Sequence, residues 1–485
     1  VEGNLHRAVS SIRRSMDFWA GLPLSPMGRV AIAKMLVLPR LLYLFAAIPF
    51  MPSRAFFKGL RTLLSDLTWG RERRRVSIVT LQRPVSGGGL GLPDLELYYA
   101  AAQLQWPMRW LVDTGPESGL VRRGLGGKNT LSWLLGSAAP PKRASVLLRV
   151  AWKCWKRYIQ PRGAPLPYTP GLPLWSLPSM AAILETHSAV PWRRANITRL
   201  EDIYEEGELM TFQGLQDRYE LGARAFITYG AMCRALQAMW SNGHMEPSTH
   251  IGLRAVISHG MGRHAVTILH SALRDSNGSK ALAIKLRWCN DIAENITDTQ
   301  WEAVLTYVRH VSRNARLKYT QFNYLHQTYL TPHRLHAMFP TVAAKCPWCT
   351  CSDADFLHMV WGCADLRLRW EQVMTIINNI IVIRLPITPL VCLLGATKRT
   401  KRNKPSLRFA DLAMVLFKRL IAKKWKAAAP PTLAEWAREV YKWATAETDT
   451  LSAIRRQQKG GTRITTWDTY LIQMAAHMAR MGVTT

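Results

Sequence analysis

Cys346, Cys349, His358 and Cys363 form a Cys-x2-Cys-x8-His-x4-Cys box, and this short segment constrains the chain more than any other. A four-coordinate zinc site needs four thiolate or imidazole donors that converge on one ion. A Cys-x2-Cys turn brings the first pair together, and a short return segment brings back the second. Phe356, Leu357, Met359 and Trp361 surround that second pair with apolar groups suited to a small core. In a helix, His358 and Cys363 stand about one and a half turns apart, so the spacing predicts an irregularity there. Cys351 is a fifth candidate, which either replaces Cys349 or stands idle. The plain alternative, core thiols packed beside a histidine, accounts poorly for both spacing and density. Cys154, Cys233, Cys289 and Cys392 are scattered and read as reduced core thiols, which points to a reducing compartment.

The charge balance narrows the class of partner. Over 485 residues, 64 Lys+Arg stand against 32 Asp+Glu, a formal net charge of +32. A field of this sign on a folded chain is the footprint of nucleic-acid binding, with a ribosomal or membrane-surface protein as the blander reading. Nineteen Trp and 48% hydrophobic residues exclude general disorder. The length allows about two to four domains. Two apolar stretches, Met35 to Met51 and Met374 to Ala396, resemble membrane spans. Pro39, Arg40 and Pro49 interrupt the first, while Asn378, Asn379, Arg384, Pro386 and Pro389 interrupt the second. Neither offers about 20 uninterrupted apolar residues, so both read as buried core. Val1 is not an initiator Met and no signal-peptide pattern follows, so the opening residues are expected to lie within a longer protein.

Local patterns are mostly helical. Leu5, Val9, Ile12, Met16 and Trp19 make one apolar stripe. Ser25 is placed to cap a helix with Pro26 at its first position, and Pro39 is expected to kink or restart it. Arg71, Arg73, Arg74 and Arg75 form a basic knot ahead of Val76, Ile78 and Leu81, whose alternation suggests a short strand. Gly87 to Gly89 and Gly91 lack the Lys-Ser/Thr of a phosphate loop and read as a turn. Helical periodicity returns from Leu95 to Trp110. Residues 125–210 read as an irregular Pro- and Trp-rich connector with one helix near Arg143 to Tyr158. Glu201, Asp202, Glu205, Glu206 and Glu208 form an acidic patch, read as a solvated face or cap. His244, His250, His259, His264 and His270 lack ligand spacing and read as surface or core histidines.

Several of these segments resemble the C-terminal region of LINE-type, non-LTR retrotransposon reverse transcriptases. Lys318 to Leu335 contains Thr331-Pro332-His333-Arg334-Leu335, similar to the Thr-Pro-x-Arg-Leu element that precedes a Cys-Cys-His-Cys knuckle in that family. Trp19 to Leu22, Leu24 to Arg29, Lys34-Met35, Leu38-Pro39-Arg40 and Tyr43 resemble the thumb that follows the polymerase palm. Gly88 to Asp94 with Leu97-Tyr98-Tyr99 resembles the basic wrist. Leu420 to Trp425, Pro430-Pro431 and Trp436 fit the region after the knuckle. The resemblance is weakest from about residue 125 to 200.

The resemblance implies a mainly α chain in four segments. These are a thumb-like segment 1–60, a basic wrist-like segment 61–124, an irregular connector 125–210, and a helical C-terminal domain 211–485 with a zinc knuckle at 346–363. Its expected role is to engage RNA and DNA during target-primed reverse transcription, with structural Zn2+, no membrane partner, and the palm upstream in the parent protein. That places it in nucleus and cytoplasm, not outside the cell. Arg29, Lys34 and Arg40 are the thumb candidates for nucleic-acid contact, and Arg71, Arg73, Arg74 and Arg75 the wrist candidates. Lys398, Arg399, Lys401, Arg402 and Lys404 are a further basic run, expected to contact RNA, direct nuclear import or stand solvated. The family's palm ends in an aromatic-x-Asp-Asp turn that holds magnesium, and no Asp-Asp dipeptide occurs here. No catalytic residue is therefore expected in this chain. Alternatives are a host-adopted or decayed transposon-derived RNA-binding protein and, less favoured, a zinc hydrolase, which needs an open coordination position.

Overall fold

In the computed structural model the chain is mainly helical, and short polar caps set where many helices begin. The structure describes residues 2–70, 73–112, 120–121, 123–125, 133–134, 139–141, 143–160, 171–177, 180–205, 208–239, 264–275, 281–381, 383–400, 403–457 and 466–483. Ser25 Oγ accepts from the Gly28 amide, with Pro26 leading the helix Pro26–Ile32. The chain then makes a π-helical turn at Ala33–Val37 before the helix Leu38–Ala47, so the disturbance expected at Pro39 is present just ahead of it. Helix runs on past the proline, however. The stretch Pro26–Ala47 is long and apolar enough to cross a membrane by length and composition, as core helices of soluble proteins also are. Leu41 and Phe45 within it are fully buried, whereas Met35 and Tyr43 are largely exposed, so the reading of Met35 to Met51 as buried core is corrected to a half-buried helix.

The strand expected near Val76 is also corrected. Ser77 Oγ accepts from the Thr80 amide and starts a short helix, Ile78–Gln82, because a capped turn satisfies those amides without a partner strand. The glycine run is a turn, as read. Gly88 and Gly91 have φ of +79° and +67°, and a Cβ on Gly89 would lie 2.1 Å from the Arg83 carbonyl.

The described residues fall into two compact units, and each draws on more than one of the four sequence segments. Unit 1 comprises residues 1–15, 35–63 and 93–278. Its centre is the helix Leu95–Val112, packed by Leu38–Ala47, Val146–Cys154 and Ala265–Asp275. Ala100, Ala101, Ala102, Leu104 and Met108 are fully buried, so that helix is enclosed on all sides. Gln103 Nε2 satisfies the carbonyls of Phe45 and Ile48 at the end of its neighbour.

The connector is more ordered than its composition suggests. Leu172, Leu174, Leu177, Met180, Trp192, Ile197, Leu200 and Ile203 have no exposed surface. Short helical turns and a two-stranded hairpin, Tyr204–Glu205 with Glu208–Leu209, pack around them. The acidic patch acts partly as a cap, since Asp202 accepts from the amides of Thr198 and Arg199.

Unit 2 comprises residues 16–34, 64–92 and 279–485. Its core helix, Lys404–Lys423, is contacted by Ala315–Leu325, Ala364–Ile380, Leu433–Gln457 and Thr466–Arg480. Trp370, Phe409, Phe417 and Trp436 are buried there, each contributing on the order of 2–3 kcal/mol by burial. The metal-ligand candidates lie in this unit.

Candidate metal centre

The segment before the box is held in place by its backbone. Cys346 N donates to the Cys351 carbonyl at 3.0 Å, and Ala354 N to the Ala344 carbonyl at 2.9 Å, closing a tight loop around the first cysteine pair. Within that loop the Trp348 amide points at Cys346 Sγ (3.4 Å) and the Cys351 amide at Cys349 Sγ (3.5 Å). Such amide donors favour the thiolate form. The loop is anchored by Trp348, whose indole Nε1 donates to the Ala427 carbonyl.

The return segment solves the spacing problem by widening the helix. His358–Gly362 is π-helical, with the Cys363 amide bonded to the His358 carbonyl, and Cys363 then heads the helix Ala364–Ile380. The irregularity predicted from the four intervening residues is thus a π-turn. Met359, Val360 and Trp361 on this turn are buried, and Trp370 Nε1 donates to the Val360 carbonyl. Phe356 meets Trp288 and Tyr324 edge-on. The box is therefore part of the core of unit 2.

One donor atom from each of Cys346, Cys349, His358 and Cys363 lies within 4.8 Å of all the others. Cys346 Sγ is 4.0 Å from Cys363 Sγ, and Cys349 Sγ is 3.3 Å from His358 Nε2. Zn–S bonds of about 2.3 Å in a tetrahedron require S···S edges of roughly 3.8 Å, so this set fits one such ion. No family model matches the chain. What is shown rests on geometry: a Cys3His group that could hold a metal ion and is compatible with zinc. Burial pushes the Cys346 thiol up to about 12 and also raises Cys363, while it lowers His358. Metal binding would therefore displace protons from the thiols. Cys351 is outside the group, its thiol directed at the Asp353 carbonyl. Of the other thiols, Cys154 and Cys392 are buried, whereas Cys233 and Cys289 are half-buried.

The basic candidates divide into different roles. The Arg29 guanidinium is turned inward, bonded to the carbonyls of Ala20, Leu22, Leu24 and Leu67. Lys34 stands beside Gly91, where partial burial and the Arg309 charge lower its pKa. Arg40 is exposed and donates to Ser15. Arg71 lies outside the described residues. Arg73, Arg74 and Arg75 are exposed on the rim of a cleft, and among the described residues Arg74 alone of the three has an ion-pair partner, Asp66 at 2.9 Å.

In the later basic run, Arg399 is bonded to the buried Asp411, and Lys401 and Arg402 lie outside the described residues. So do His244, His250 and His259, while His270 stacks on Tyr98. Sequence reading missed Arg83, Arg287, Arg334 and Lys426, which line the same cleft as Arg73. They come from four distant segments, and of them only Arg334 stands in an element the sequence singles out, Thr331 to Leu335, which assigns it no contact.

Proposed function

We propose that this chain is a nucleic-acid-binding, zinc-stabilised C-terminal part of a non-LTR retrotransposon reverse transcriptase. Convergence of Cys346, Cys349, His358 and Cys363 into one four-donor group is the observation that carries the zinc part of the reading. Four protein donors close a tetrahedral shell, which favours a structural ion over a catalytic one and disfavours the hydrolase alternative. Zinc would be held by those four residues and supply cross-linking of the loop to the helix behind it.

The nucleic-acid part rests on the net charge of +32 and on the exposed Arg73 and Arg75. Phosphate neutralisation, not bond chemistry, is then the chain's own contribution. Its partners are RNA and DNA, its setting nucleus and cytoplasm, and the polymerase palm belongs to the parent protein. A host-adopted RNA-binding descendant has the same site and the same physical behaviour.

The test is equilibrium binding of the zinc-loaded chain to RNA, alongside a Cys346→Ser/Cys349→Ser variant. The reading expects tight RNA binding by the unaltered chain and loss of metal with loss of folded-state stability in the variant. Absence of RNA binding by the unaltered chain contradicts it.

A further inference from the structure

Unit 2 has a cleft of about 860 Å³ whose lining, among the described residues, includes no Asp or Glu. Arg73, Arg74, Arg75, Arg83, Arg287, Arg334 and Lys426 contribute its cations, gathered from positions 73 to 426. Arg74 is paired with Asp66; the other cations outnumber the carboxylates beside them and repel one another, and a polyanion laid along them removes that repulsion. Arg334 is fixed in the lining, since its Nη1 donates to the carbonyls of Gln327 and Tyr329. Asp291, which accepts from Gln327, is an opposing charge that acts on it. His326 adds no switch, because its Nε2 is tied to the Gly88 carbonyl at 2.6 Å and burial holds it neutral.

A second feature separates single strands from duplexes. Leu330 and Met338 line the same cleft while remaining 41% and 44% exposed. A duplex turns its base faces inward and would oppose these side chains with phosphate or water. A single strand presents sugars and base faces together with its phosphates. Tyr329 and Trp425 pack against each other with centroids 5.5 Å apart, and Trp425 is buried, so recognition is by charge and apolar contact, with little reading of sequence.

We propose that this cleft binds the phosphate backbone of a single-stranded nucleic acid, with Leu330 and Met338 against its sugars and base faces. The proposal rests on the nucleic-acid reading above and narrows it to one site and one form of ligand.

The test uses the full chain with labelled single strands of RNA and of DNA about 12 nucleotides long, and the matching duplexes as competitors. Arg287→Gln with Lys426→Gln is expected to weaken single-strand binding about tenfold and to lower the salt slope by about 1.4, near 0.7 per phosphate. Arg73→Gln with Arg75→Gln, an independent exposed pair, is expected to do the same. Leu330→Ser should weaken single-strand binding more than duplex binding. Unchanged affinity and slope in both paired variants, while the unaltered chain still binds, would overturn the cleft and remove Arg73 and Arg75 from the broader reading, leaving it on the net charge and the binding itself. Duplex that competes as well as single strand overturns the single-strand preference. A chain that binds neither form removes both proposals.

Discussion

Cys346 Sγ and Cys363 Sγ lie 4.0 Å apart although 17 positions separate them in the chain. Two protonated thiols gain little from such an approach, and burial raises both of their pKa values. A shared cation would supply stabilisation that the thiols alone lack. Purified chain is therefore expected to carry about one zinc per molecule by elemental analysis. Cys346→Ser with Cys349→Ser should lose it, and Cys351→Ser should keep it, since that thiol faces the Asp353 carbonyl instead. Zinc lost equally in all these variants would contradict the ligand assignment.

Arg29 makes a second prediction, because its geometry is that of a brace. It bridges the carbonyls of Ala20, Leu22 and Leu24 to that of Leu67. A Cβ at Gly70 would fall 2.1 Å from its Nη1, so glycine there leaves the room it needs. Arg29→Ala should cost about 2–3 kcal/mol in denaturant unfolding, as carbonyls lose a charged donor. The salt slope of RNA binding should stay unchanged. Retained stability with collapsed RNA affinity would restore Arg29 as a phosphate contact.

How legible these features were depended on how local they are. The Cys3His group and the Ser25 cap are set by residues within about 20 positions, where spacing alone limits geometry. The Ile78–Gln82 helix was misread as a strand because three alternating apolar residues fit both, and the Ser77 cap decided the outcome. Residues 171–177 and 180–205, expected as an irregular connector, are short turns packed around a tight core, a burial that composition alone does not reveal. The cleft was illegible for the opposite reason, since Arg83, Arg287, Arg334 and Lys426 meet only after folding. Direction was equally hidden, as with Arg399, a residue of the basic run that turns inward to Asp411.

Asp411 carries the pH prediction. Burial pushes its carboxyl up from 3.8 to about 6, partly opposed by the charge and hydrogen bond of Arg399. A raised folded-state value means the folded chain holds this proton more tightly than the unfolded chain. The contribution to stability is thus favourable in acid and is lost as pH rises from about 4 to about 6. Asp411→Asn removes that titration. Urea midpoints at about pH 4.5 and 6.5 should show the variant gaining, relative to the parent, on the order of 2 kcal/mol between those points. A parent-to-variant difference that does not change with pH would contradict the assignment.

The central claim is that this chain binds nucleic acid through phosphate neutralisation, and its most direct measurement is RNA affinity across a salt series. The logarithm of the association constant should fall linearly with the logarithm of salt concentration, by about 0.7 for each phosphate contacted, so that six contacts give a slope of about −4. A slope near zero, or no RNA binding at low salt, would contradict it.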